Sequence, residues 1–164
     1  MALEGINFYS AFAYFYNLAR NQKMLKTSTM ISYINRDELV HTKLVVDVLN
    51  SFIKENPNLS NYVGEFAKEF FEVIVNKEIE WSEYILKNEE DIDMIEMKEY
   101  IKYRANKCLS MMGITPLYDD ISDNPMPWIR AFSEENINDS KSDFFEQKPR
   151  TYTKINDDNG FDDL

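Results

Sequence analysis

Glu38-Leu39-Val40-His41 contains the only histidine of the chain. On a helix, residues three apart share a face, so Glu-x-x-His sets a carboxylate and an imidazole one turn apart. Carboxylate-bridged dinuclear metal sites in four-helix bundles use two such motifs, plus a lone Glu from each of two further helices. This sequence offers one Glu-x-x-His and, at Glu4, one candidate lone Glu. The expectation is half of a dimetal site, with the other half on another polypeptide. Carboxylates with a single imidazole suit iron or manganese better than zinc. Asp37, next to the motif, is a candidate for orienting a histidine, with a solvated helix charge as the alternative.

Placement supports the metal reading. Glu38 and His41 interrupt an apolar stripe of Met30, Ile34, Val45, Val48, Leu49 and Phe52. Glu4 is the only charged side chain before Arg20. A buried carboxylate without a partner is costly, so each acid needs a cation or a hydrogen-bond network. A metal ion supplies that charge. The alternative is two buried acids bonded to each other or to Arg36.

The elements that must hold these residues are helical. With 4 Gly, 5 Pro and 44% apolar residues, long helices are expected and a turn-rich β fold is not. Residues 2–20 predict a first helix, apolar nearly all round and therefore interior, with Glu4, Phe8, Phe12 and Phe15 along one stripe. It has no cap ahead of it, so Met1 reads as a start placed inside a larger fold. Residues 27–54 predict a second helix, with Thr27 or Ser28 as N-cap, ended by Asn56-Pro57-Asn58. A third covers 60–88, with Val63, Phe66, Phe70, Ile74, Trp81 and Ile85 inward. Its Glu65, Glu69, Glu72, Glu80 and Glu83 form a solvated face. A fourth covers about 93–112, with Ile101, Ala105, Cys108, Leu109 and Met112 inward and Gly113 just past its end. Pro116, Pro125 and Pro127 mark an irregular closing segment. The expected organisation is half of a helical bundle over 1–132 and a flexible acidic tail over 133–164. That tail is too polar to build its own core.

Composition excludes several functions. A net charge of −11 without a basic stripe argues against nucleic acid and anionic membranes as partners. The uncharged stretch from Gly5 to Ala19 is too short to span a bilayer, and no signal-peptide pattern precedes it. The lone Cys108 gives no disulfide framework and no zinc knuckle, which suits a reducing cytoplasm. Neither a Gly-rich phosphate loop nor a Ser/His/Asp set is available.

Three segments occur in order: Leu3-Glu4-Gly5-Ile6-Asn7-Phe8-Tyr9, then Ile34-Asn35-Arg36-Asp37-Glu38-Leu39-Val40-His41, then Asn124-Pro125-Met126-Pro127-Trp128-Ile129. Phe144-Phe145-Glu146 and Tyr152 follow. On these segments the chain resembles the C-terminal half of the small, radical-generating subunit of class I ribonucleotide reductase, over nearly its whole length. The resemblance implies an all-α, ferritin-like helical bundle, C-terminal half only, with a flexible tail. It implies Glu4, Glu38 and His41 as iron ligands, with manganese as the other metal. It implies Phe8, Phe12 and Ile34 as the apolar pocket around the radical-bearing tyrosine, and Asp37 in the chain that passes the radical outward. Tyr152 is then the tail relay, and Phe161 and Leu164 dock on the large subunit.

The family's first half has no counterpart here. It carries the remaining ligands, the radical tyrosine and the tryptophan of the transfer path. The resemblance therefore implies an enzyme component inactive alone. Its partners are a separately encoded N-terminal half and the large subunit, in a dimeric assembly that reduces ribonucleotides to deoxyribonucleotides. Two other functions fit parts of the sequence. One is a non-catalytic module that binds the large subunit through the tail. The other is a homodimeric ferritin-like di-iron oxidase, in which two copies supply the full ligand count.

Overall fold

In a computed structural model the described residues are 1–89 and 91–133. The expected tail roles of Tyr152, Phe161 and Leu164 lie outside the described residues. Ser133, where that tail was expected to begin, is buried and donates its N–H to Ile129 O at 2.9 Å.

The first helix opens as a π turn, Leu3–Asn7, and continues without a break as α1, Phe8–Arg20. Tyr9, Phe12, Ala13, Tyr16 and Ala19 of α1 are buried, as expected of a helix with almost no charge. It ends in a Schellman motif: Gln22 N donates to Ala19 O at 3.0 Å and Lys23 N to Leu18 O at 2.8 Å. Gln22 takes φ 60°, a left-handed conformation that costs a residue with a Cβ about 1 kcal/mol. Gln22→Gly is therefore expected to raise the unfolding free energy by roughly 0.5–1 kcal/mol. Urea unfolding followed by circular dichroism checks this, and an unchanged or lower midpoint refutes it.

α2 spans Leu25–Glu55, with no side-chain cap. The expected caps Thr27 and Ser28 instead lie inside its first turn. The corner after α1, with Met24 also left-handed at φ 50°, starts the helix earlier. A short 3-10 turn, Pro57–Leu59, leads into α3, Ser60–Leu86. α4 spans Met94–Met111. Its N-cap Asp93 Oδ1 accepts from Ile95 N at 2.7 Å, and Gly113, at φ 71°, closes a second Schellman motif through Ile114 N to Leu109 O at 2.9 Å. A 3-10 turn at Pro127–Ala131 ends the described fold. The intervening segment hangs on buried Asn106. Its side chain accepts from Leu117 N and Tyr118 N and donates to Tyr118 O and Ile121 O.

Among the described residues there is no strand, and no helix is long and apolar enough to cross a membrane. α1 packs against α2 on one side and α4 on another, while α4 packs on α3.

Helix phase departs from expectation in two places. On α3, Phe66, Phe70, Trp81 and Ile85 are exposed, Trp81 at 57%. The residues turned to the core are Ala67, Phe71, Val75, Glu78 and Ser82. Apolar residues cover more than half of this helix, so the expected stripe was one flank of a broad face. Packing against the neighbouring helices decides which flank of that face is buried. The five acids expected on a solvated face are all exposed. On α2, the face that packs inward is small and polar: Ser28, Ser32, Asn35, Thr42 and Val46. Its apolar stripe, Met30, Ile34, Val45, Val48 and Phe52, is exposed. The inward residues named on α4 are buried as expected.

Candidate metal centre

Glu4 projects from the π turn, and Glu38 and His41 from the middle of α2. His41 Nδ1 lies 3.0 Å from Glu38 Oε2 and 3.8 Å from Glu4 Oε1. One donor atom from each of the three residues falls within 4.8 Å of the others. Donors held ~2.1 Å from one ion stand ~3.0 Å apart at right angles and ~4.2 Å apart when opposed. The set therefore fits one transition-metal ion with small side-chain adjustments. Two carboxylate oxygens and one imidazole nitrogen are donors that iron and manganese accept readily.

The site is graded in exposure. The Glu38 side chain is 14% exposed, Glu4 30% and His41 54%. Its outer side opens onto the apolar stripe of α2, with Ile34, Val45 and Val48 exposed around Glu38 and His41. A second apolar surface lies between α1 and α3. There Ala11, Tyr14, Phe15, Trp81 and Ile85 line an apolar groove of ≈ 310 Å³.

The close approach of α4 positions the π turn. Gly5 is buried against Cys108, and a Cβ at Gly5 would stand 2.6 Å from Cys108 Sγ. The Gly5 carbonyl accepts from Arg104 Nε at 3.3 Å and from Cys108 Sγ at 3.6 Å. The Arg104 guanidinium also sits 3.3 Å over the Tyr9 ring. Burial pushes the Cys108 thiol above its usual pKa, so it stays protonated and serves as a small packed donor. π segments recur at functional sites, and this one carries Glu4.

The other expected site residues are distributed as follows. Phe8 and Phe12 meet with ring centroids 6.1 Å apart, Phe12 buried and Phe8 half-buried. Ile34 is exposed on α2, one turn before Glu38. Asp37 is exposed, with Arg36 Nε at 3.5 Å from its Oδ1.

Sequence reasoning missed Gly5, Arg104 and Glu78. Glu78 is buried on α3, where its Oε2 accepts from Asn7 Nδ2 at 2.6 Å and its Oε1 from Ser10 Oγ. Its signal was its spacing from Phe71 and Val75, which sets it apart from the other α3 acids.

Residues 1–125 match the family described as "Ribonucleotide reductase, small chain". The chain is 47% identical over 167 residues to the ribonucleoside-diphosphate reductase subunit beta of Halalkalibacterium halodurans, covering 99% of this chain and 47% of that protein. It is 34% identical over 158 residues to the subunit of the same name from Treponema pallidum, covering 93% and 44%. Its fold resembles the ribonucleotide reductase R2 subunit from Clostridium botulinum, with a TM-score of 0.76 and 39% identity over 80% of this chain and 42% of that one. The chain thus spans less than half the length of each of these proteins.

Proposed function

The chain belongs to the ribonucleotide reductase small-chain family, and from that premise we propose that it is the C-terminal portion of a ribonucleoside-diphosphate reductase small subunit. It contributes half of a di-iron site, and a complementary polypeptide, a separately encoded N-terminal half, contributes the rest. One observation carries this reading: Glu4, Glu38 and His41 converge on a face whose apolar surroundings are open. Three donors hold one metal ion incompletely and cannot hold two. A second set of carboxylates and a second Glu-x-x-His, laid on the open stripe, complete the pair and bury the apolar rim.

In that assembly Glu4, Glu38 and His41 are the metal ligands. An iron pair held by these ligands and those of the complementary half would supply, with oxygen, the oxidising power that a tyrosyl radical requires. Phe8, Phe12 and Ile34 line the dry side of that tyrosine and exclude water and reductants. Asp37 belongs to the hydrogen-bonded route that carries the radical equivalent outward, and Tyr152 passes it to the large subunit. Phe161 and Leu164, apolar in an acidic tail, anchor the chain to that subunit. Residues 1–132 form the bundle half and 133–164 the docking tail. The open stripe also supports a dimeric assembly, and the same donors suit manganese as the alternative metal.

The test is anaerobic Fe(II) loading followed by oxygen, with the chain alone and mixed with a polypeptide that supplies the missing ligands. Iron retention and a tyrosyl electron-spin signal are expected only in the mixture. His41→Ala is expected to lower iron retention at least tenfold, since a first ligand matters at least as much as the groups that orient it. Iron held by the chain alone, without the radical signal, overturns the split-site reading in favour of a homodimeric oxidase. No iron in either sample leaves the tail-binding module.

A further inference from the structure

The π turn that carries Glu4 is gripped on two sides. α4 holds it through Gly5, and α3 holds it through one side chain, Glu78. Glu78 is 5% exposed, whereas the other α3 acids named above face solvent. Its two oxygens accept from Asn7, the last residue of the π turn, and from Ser10, in the first turn of α1. Together the two bonds straddle the junction where π geometry changes to α geometry.

We propose that Glu78 is a positioning residue for Glu4, fixing the π turn so that the Glu4 carboxylate faces Glu38 and His41. This rests on the metal-centre reading above. A desolvated carboxylate is tolerated only while its hydrogen bonds are made, and bonds to an ionised acceptor are the strong ones. Glu78 therefore holds Asn7 and Ser10 at one spacing along the helix. Without that hold, the π turn can relax to the more common α geometry. Taking one residue out of the bulge turns everything ahead of Asn7 by about 100° about the helix axis. Glu4 is then carried off the face it shares with His41.

The experiment uses the full 164-residue chain mixed with the complementary polypeptide, and Co(II) as the probe, with visible absorption reporting coordination. Amide exchange at Gly5 and Phe8, without metal, reports the π turn, and circular dichroism reports folding. Glu78→Gln is expected to weaken Co(II) binding at least tenfold, alter the absorption band, and speed exchange at both amides. The double variant Asn7→Asp with Glu78→Gln moves the carboxylate to the other partner and keeps both bonds. It is expected to restore the band and the exchange rates. Glu78→Leu is expected to be more severe. If it fails to fold, Asn7→Ala decides, since it removes one bond at a half-buried position. Exchange unchanged in Glu78→Gln and Asn7→Ala, or a folded double variant that restores nothing, overturns the proposal. Glu4→Gln in the same titration separates the two readings. If it leaves Co(II) binding untouched, the metal reading fails while the exchange data still judge Glu78.

Discussion

Replacing Gly5 with alanine is expected to lower the unfolding free energy by about 2 kcal/mol and to weaken metal binding at least tenfold. The added Cβ would stand 2.6 Å from Cys108 Sγ. That sulfur has nowhere to go, because Cys108 is fully buried in the core of α4. The π turn must move away from α4, stretching the Arg104 and Cys108 contacts to the Gly5 carbonyl. Glu4 moves with it. The next contact, Thr42 Cγ2 at 3.5 Å, is an ordinary one, so the sulfur is the main obstacle. Gly5→Ala with Cys108→Ala is therefore expected to recover most of the metal affinity. Urea unfolding of the single and double variants, and Co(II) titration of each mixed with the complementary half, measure both effects. A single variant as stable as the parent, or a double variant worse than the sum of its parts, refutes the account.

Val45→Asp with Val48→Asp is expected to weaken association with the complementary half about a thousandfold. Both valines are exposed on the stripe that carries Glu38 and His41. In the proposed assembly they lie near the centre of the contact, where truncating or charging a residue costs ~2 kcal/mol or more. Two such costs, at about 1.4 kcal/mol per factor of ten, give roughly three orders of magnitude. The isolated parent chain is expected to self-associate through the same stripe, and the double variant to stay monomeric. Sedimentation of each chain alone and with the partner reads both results. If the double variant binds the partner as tightly as the parent does, the open stripe is not the interface.

Gln22→Gly and the iron-loading comparison address different layers of the same molecule. The first concerns a local backbone cost and is small. The second concerns what the half-site lacks. The effects are large where α4 and the open stripe act on Glu4, Glu38 and His41, because both the ligand geometry and the partner depend on those contacts.

Local rules made much of this protein legible from its sequence. Glu38 and His41 share a face because residues three apart on a helix must. Gly113 closes α4 because a residue without a Cβ takes the left-handed conformation there at little cost. The ordered segments from Leu3 to Ile129 gave the family, and the inward stripe of α4 was clear because its other faces are charged. Tertiary structure decided the rest. Glu4 meets His41 only because α1 packs along α2, a contact between residues far apart in the chain. The π turn, the Gly5 approach to Cys108 and the burial of Glu78 arise from the spacing between helices, which no single helix encodes. The outward phase of Trp81 and Phe66 has the same origin. A helix apolar over more than half its circumference can bury either flank, and packing against its neighbours decides which.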